Sequence, residues 1–316
     1  MPHAHSSQSP SRLALHNLLV YSWAFWGVVL IWLIPQVTLA GSITIGSISL
    51  EPAAEVKKFW PLARYLAQQL LPEGVDQGHV VVADSIPQMA AWLREGKVDF
   101  YVDSTFPAMA VRRLSGSQVL LRRWKKGVSD YHTVFFTRQD RGLRRLEDLK
   151  GHMVAFEKPF SSSGYFLPKM VLVQEGLQVV PKGDAMDPVG PDEVGYVFSA
   201  HDSSTMVWVL RGKVAAGAMD DQRFLAEAKS SLPHLQILYE TFTLPRQLVS
   251  TRATLAPSLV ARLLAILTQM DQEEEGRRAL DAFEQTTKFD ALPEPTMAVL
   301  VQLIPFIEAE LGLRAP

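Results

Sequence analysis

GHMVAFEKPFSSSGYFLPKM, residues Gly151 to Met170, turns from strand to helix through three consecutive serines. Met153 to Phe156 is apolar and strand-like, Lys158-Pro159 ends the run, and Phe166, Met170 and Val173 then recur at helical spacing. Ser161, Ser162 and Ser163 therefore stand where the first N–H groups of a helix lack intrahelical partners and the helix dipole is positive. An anion with several oxygens fits such a turn, and hydroxyls add donors without adding net charge. Taken alone, Ser-Ser-Ser-Gly is also the composition of an ordinary capped loop. The flanking chain has to choose between the two.

Upstream, Ile43 to Ile48 reads as a strand, followed by a loop with Ser49, Glu51 and Pro52 and a helix carrying Phe59, Leu62, Leu66 and Leu70 on one face. Val80 to Ala83 is a second strand, Asp84 or Ser85 caps a helix running to Gly96, and Val98 to Val102 is a third strand. That strand ends in Asp103-Ser104-Thr105, with Pro107 opening the next helix; read alone, Ser104 and Thr105 are helix caps. Gln118 to Arg123 and Thr133 to Thr137 are further strands, Ser129-Asp130-Tyr131 leads into the latter, and Leu146 to Gly151 is a short helical turn.

Downstream, Lys182 to Asp192 is a surface loop rich in Pro, Gly and Asp. Gly195 to Phe198 is a strand, and Ser199-Ala200-His201-Asp202 starts a helix that ends at Gly212. Val214 to Met219 is a strand, and Asp220-Asp221 begin another helix. Leu235 to Tyr239 and Gln247 to Ser250 are short strands. The remainder reads as helical: Pro257 to Met270, Glu274 to Phe283, and Thr296 to Leu311 with a kink at Pro305. Such β/α alternation predicts right-handed crossovers and a mostly parallel sheet with helices on both faces. It occurs once before about residue 130 and once after it, which predicts two lobes. Ligands of open parallel sheets gather at the carboxyl ends of strands, where both hydroxyl-rich turns lie.

Composition narrows the function classes. The chain has 316 residues, 47% of them hydrophobic, which suffices for two real cores. A formal net charge of −2 argues against a nucleic-acid surface, and the one basic run, Arg122-Arg123 and Lys125-Lys126 around Trp124, is expected on a solvated turn. With no cysteine, disulfides, thiolate catalysis and cysteine metal sites are excluded. No His-Glu-x-x-His spacing occurs, and Ser161 to Gly164 lacks the Gly-x-Ser-x-Gly elbow of a hydrolase. Adjacency of His201 and Asp202 does not by itself make a relay to a serine. Leu18 to Ile34 is uncharged and apolar, and Thr38 and Ala40 resemble an export-peptidase site. A secretory signal cleaved after Ala40 is expected, with an uncleaved N-terminal anchor as the alternative. His3 and His5 fall in this removable segment and are given no metal role.

An ordered set of short matches runs from about residue 43 to 224. It comprises Phe59-Trp60-Pro61-Leu62 with Tyr65-Leu66; Gly96-Lys97-Val98-Asp99; Tyr131; Leu146 to Gly151; Ser161-Ser162-Ser163-Gly164-Tyr165 with Pro168; and His201-Asp202 followed by Gly212-Lys213-Val214. In this set the chain resembles the phosphate-, phosphite- and phosphonate-binding components of ABC transporters. The resemblance implies a two-lobed α/β periplasmic binding protein fold of type II, each lobe a mostly parallel sheet flanked by helices, joined by a two-stranded hinge. Lobe one would be residues 41–129, lobe two 130–240, and 241–316 would return to lobe one with the C-terminal helices. It further implies a non-enzymatic, monomeric periplasmic protein without a cofactor. Such a protein closes on a small oxyanion and presents it to a permease or, in the alternative, to a membrane sensor kinase.

The resemblance also implies roles for single residues. Ser161, Ser162 and Ser163 would grip the phosphorus-bound oxygens and Tyr131 would donate its hydroxyl. Asp202 would accept from a protonated ligand oxygen or pair with a ligand amine. His201 is either a contact or a capping and packing residue; Ser104 and Thr105 match by their place after a strand, and Ser49 by its place in the first loop. Two departures stand out: three serines replace the frequent Ser-Thr-Ser, and Ala215 stands where many relatives have aspartate.

Overall fold

The computed structural model describes residues 41–313. The expected export signal or anchor, including Leu18 to Ile34 and the site after Ala40, lies outside the described residues. Among the described residues no helix is long and apolar enough to cross a membrane.

The first lobe begins β1 (Gly41–Ile48), α1 (Pro52–Gln69), β2 (Val75–Ala83), α2 (Ile86–Arg94), β3 (Phe100–Asp103), α3 (Thr105–Ser115) and β4 (Gln118–Lys125). α1 buries Phe59, Leu62 and Leu66, with Leu70 buried just past its end, the face its spacing predicts, and leaves Trp60 outside. It packs so close to β2 that a Cβ on Gly78 would stand 2.2 Å from the Ala63 carbonyl oxygen, so only glycine fits there. The chain crosses through β5 (Asp130–Tyr131) into the second lobe. There it forms β6 (Thr133–Arg138), β7 (His152–Phe156), α4 (Leu167–Gln174), β8 (Gln178–Pro181), β9 (Glu193–Phe198), α5 (Asp202–Leu210), β10 (Ala216–Asp220), α6 (Asp221–Ala228) and β11 (Leu235–Glu240). It returns through β12 (Leu244–Pro245) to β13 (Gln247–Thr251), α7 (Pro257–Gln269), α8 (Glu274–Ala282), β14 (Thr286–Asp290), α9 (Glu294–Gln302) and α10 (Ile304–Glu310).

Two six-stranded sheets result, ordered β14-β4-β13-β3-β1-β2 and β11-β6-β10-β7-β9-β8. The parallel cores that the β/α alternation predicts are β3-β1-β2 and β10-β7-β9-β8. Antiparallel strands are added on one flank of each, because the crossing and returning segments enter from the opposite end. The crossing strands pair with each other, Leu244 with Tyr131 and Pro245 with Asp130, which ties the two passages together.

Four expectations need correction. The basic run lies on β4, not on a solvated turn: Arg123 is fully buried and Arg122 nearly so, and only Lys126 reaches the turn beyond the strand. Arg123 is tolerated there because its guanidinium stacks 3.7 Å from the Phe283 ring centroid and donates to Thr286, Gln247 and Glu284. The C-terminal region is not all helix, since β14 adds an edge strand beside β4. The helix expected from Thr296 to Leu311 is two helices, with Pro305 in the first turn of the second, where it lacks no needed N–H. Finally, Val173 is exposed: α4 buries Leu167, Pro168, Met170, Val171 and Leu172 between two cores, and Val173 faces its one open side.

The apolar core shared by the lobes is built from α4 and its approach. Phe166, Leu167 and Met170 join the cluster of Ile48, Phe106, Met109, Leu303 and Ile307 from the first lobe. Phe106 and Phe166 stack with ring centroids 4.2 Å apart and planes 3° from parallel.

Candidate functional site

A cavity of about 660 Å³ lies between the lobes. Five elements aim an N-terminus toward it, so partial positive charge converges from both sides: α1, α3, the serine turn before α4, α5 and α6. The serine turn does not open as an α-helix. Ser162–Phe166 forms one π turn, with the Phe166 N–H donating to the Ser161 carbonyl at 2.9 Å. The wider turn is a frequent device at functional sites. Ser161 Oγ accepts from the Gly164 N–H at 3.0 Å and so acts as the cap.

Ser162 reaches across the lobes. Its Oγ accepts from the Phe106 N–H at 2.7 Å, so a first-turn amide of α3 and the serine turn meet directly. Tyr131, buried on β5, brings its hydroxyl against Ser162 and Ser163; burial raises its pKa and keeps it a neutral donor, although the serines and Arg246 pull the other way. Ser163 is half-buried, its carbonyl oxygen accepting from Thr133. Arg246 stands behind this group, its guanidinium carbon 5.6 Å from the Tyr131 ring and its Nη1 3.6 Å from Asp220 Oδ1.

Of the residues singled out by sequence, Ser49, Ser104, Tyr131, Ser161, Ser162, Ser163, His201 and Asp202 line the cavity. Thr105 does not. It is fully buried, and its hydroxyl donates to the Pro245 carbonyl at 2.5 Å, fastening α3 to the crossing segment. Neither Ser104 nor His201 caps its helix with a side chain: Ser104 Oγ donates to Asp103 Oδ1 at 3.3 Å, and His201 is exposed at the cavity rim. Ser49 Oγ accepts from the Glu51 N–H at 3.1 Å.

The carboxylates are the part that sequence reasoning largely missed. Asp103 ends β3, accepting from the Tyr101 hydroxyl at 2.9 Å and the Ser104 N–H at 2.7 Å; its withdrawal from water outweighs these bonds and pushes its pKa up to about 7. Asp202 is raised by burial and by facing Glu157 and Asp220, with Arg223 3.7 Å away as partial relief. Asp220 ends β10 and caps α6, accepting from the Arg223 N–H at 3.0 Å; burial raises it too. Asp103 and Asp220 both close a strand just before a helix, a signal that was present in the chain but was credited to the hydroxyls beside Asp103. Lys58, Lys125, Lys126, Gln247 and Glu284 also line the cavity, and nothing local to them marks them for it. Hydroxyl and amide donors on one wall, with protonatable carboxyls on both, suit an oxyanion that carries or shares a proton. Among the described residues no group of His, Asp and Glu is arranged to hold a metal ion.

The chain is similar to several known proteins. A Xanthomonas citri protein solved with chloride is 26% identical over 86% of this chain and 99% of its own, with a TM-score of 0.81. The same protein solved with ATP gives 25% identity, 86% and 98% coverage and a TM-score of 0.80. PhnD1 from Prochlorococcus marinus, solved with methylphosphonate, shares the fold at 16% identity, 86% and 99% coverage and a TM-score of 0.61. Residues 45–294 match the family model described as the periplasmic substrate-binding protein of phosphonate ABC transporters, and the chain belongs to that family.

Proposed function

We propose that the protein captures a phosphorus oxyanion bearing an organic substituent and delivers it to the permease of an ABC transporter. The observation that supports this reading is the meeting of Ser162 Oγ, the Phe106 amide and the Tyr131 hydroxyl at the seam of the lobes, with Arg246 behind them. A ligand oxygen entering there exchanges one interlobe hydrogen bond for several, with donors drawn from both lobes, and so favours closure. The cavity, about 660 Å³, falls in the ~300–1,000 Å³ range of sites that enclose a substituted small molecule rather than a bare oxyanion. Asp202, which lines the same cavity, would accept from a protonated oxygen or pair with an amine on the substituent.

A nucleotide is the second reading, favoured by the ATP found in the Xanthomonas citri relative and by the same cavity volume. Calorimetric titration of the purified full chain with phosphate, phosphite, methylphosphonate, 2-aminoethylphosphonate, sulfate and ATP separates the two. Phosphonate binding that weakens by about 1–3 kcal/mol in Ser162→Ala is the expected result. Binding of ATP alone would move the function to the nucleotide reading, and unchanged phosphonate affinity in Ser162→Ala would remove the serine turn from the site.

A further inference from the structure

The wall of the cavity contributed by the first lobe carries a feature that the serine turn of the second lobe does not account for. Lys125 ends β4, and Lys126 and Gly127 follow with φ of 55° and 75° before Val128 bonds back to Lys125. Two left-handed central residues are the pattern of a type I′ hairpin turn, whose first position favours Asn, Asp or Gly. A lysine there is strained. Across from it Glu284 and Gln285 are also left-handed, with φ of 52° and 55°, and the Lys126 N–H donates to the Gln285 carbonyl at 2.9 Å. Two strained turns thus hold one another at the cavity rim, and strain of this kind gathers at ligand clamps.

The charges at this rim are unbalanced. Glu284 is met by Lys125 at 2.9 Å, Arg123 at 3.2 Å and Lys58 at 3.9 Å, three cations on one carboxylate. Glu55 shares Lys58 at 2.9 Å, while the Lys126 ammonium has no side-chain partner among the described residues. Burial lowers the Lys125 pKa, and Arg123 and Arg246 lower it further against the pull of Glu284; at Lys58 burial is outweighed and Glu55, Glu284 and Glu51 raise the pKa, so the rim cation left without a carboxylate is Lys126.

We infer that Lys126, with Lys125 and Lys58, forms a second pole of the ligand site. It takes an anionic group on the substituent, so that the ligand class is an organophosphorus compound with two separated anionic groups. This inference rests on the proposed phosphorus-oxyanion site and names the other end of its ligand. It also gives a role to a strained lysine in a turn that asparagine would fill better.

The test is calorimetric titration of the full chain and of Lys126→Asn and Lys126→Arg at low salt. The probes are methylphosphonate, phosphonoacetate and methylenediphosphonate. Wild type binds one of the two bis-anionic probes more tightly than methylphosphonate, and the preferred one identifies the second group as carboxylate or phosphonate. Lys126→Asn lowers that preference up to about fivefold, as expected of a solvent-exposed charge contact. Lys126→Arg retains the preference, and Lys126→Asn raises the thermal midpoint because the turn is relieved. A midpoint that rises while the preference stays unchanged overturns the second pole and leaves the phosphonate site standing. Failure of all three probes to bind wild type overturns both.

Discussion

Replacing Glu284 with glutamine tests the charge network that supports the cavity rim. Burial alone would raise the Glu284 pKa, but Lys125, Arg123 and Lys58 outweigh it and draw it from an ordinary 4.5 down to about 2. At about 1.4 kcal/mol per pH unit, the ionised carboxylate stabilises the fold by about 3 kcal/mol relative to its neutral form. Arg123 moves the other way: its burial outweighs the same contact and lowers its pKa to about 10. The pair as a whole therefore stabilises less than the Glu284 figure, which applies to removing the carboxylate charge while the arginine stays. A depressed carboxylate contributes fully above its unfolded pKa and loses that contribution as pH falls through the folded one. Urea unfolding should show Glu284→Gln about 3 kcal/mol less stable than wild type at pH 7, about 2 kcal/mol at pH 3.5 and below about 1 kcal/mol at pH 2.5. A deficit that is the same at every pH would mean that packing, not charge, sets the loss. A deficit under about 1 kcal/mol at pH 7 would mean that the network is solvent-screened.

Asp103 gives the opposite pH signature. Its raised pKa means that the protonated form stabilises the fold fully below about 3.8, and the contribution fades as pH rises through about 7. Wild type should lose urea stability between about pH 4 and pH 7, and Asp103→Asn should flatten that decline; an unchanged slope refutes the assignment. Gly78→Ala places a methyl against the backbone of Ala63, where no side chain can give way. It should cost about 1–3 kcal/mol in the same assay, and a loss below about 0.5 kcal/mol would contradict the close approach of α1 to β2.

The fold was legible where the signal is local. α1 declares its buried face by spacing, and the β/α alternation announces two sheets because each strand and helix carries its own period. β14 was not legible. Four of its five residues, Thr286–Asp290, are polar and they sit beside amphipathic helices, and they become a strand only by pairing with β4, which lies far away in the chain. The same non-local pairing misled the reading of Arg122 to Lys126. A run of four cations implies solvent until Phe283, Glu284 and Thr286, some 160 positions on, supply the ring, charge and hydroxyl that let Arg123 be buried.

The candidate site divides along the same line. Ser161, Ser162 and Ser163 are contiguous with the backbone that presents them, so hydroxyls and helix start could be read together. Thr105 looked equivalent, yet its hydroxyl is claimed by Pro245, whose position depends on how the second crossing passes α3. Asp103, Asp220 and Arg246 come from a strand of each sheet and from the return crossing, and the lysine rim comes from α1 and the turn after β4, facing Glu284 beyond α8. Only the folded topology brings them to one cavity. On the proposed reading, the serine turn is the one contiguous source of donors for an oxyanion head, whereas the charges that would discriminate among its substituents come from six separate segments. Specificity can then be altered by substitutions at the rim while the serine turn stays unchanged, which is how one fold can serve different ligands.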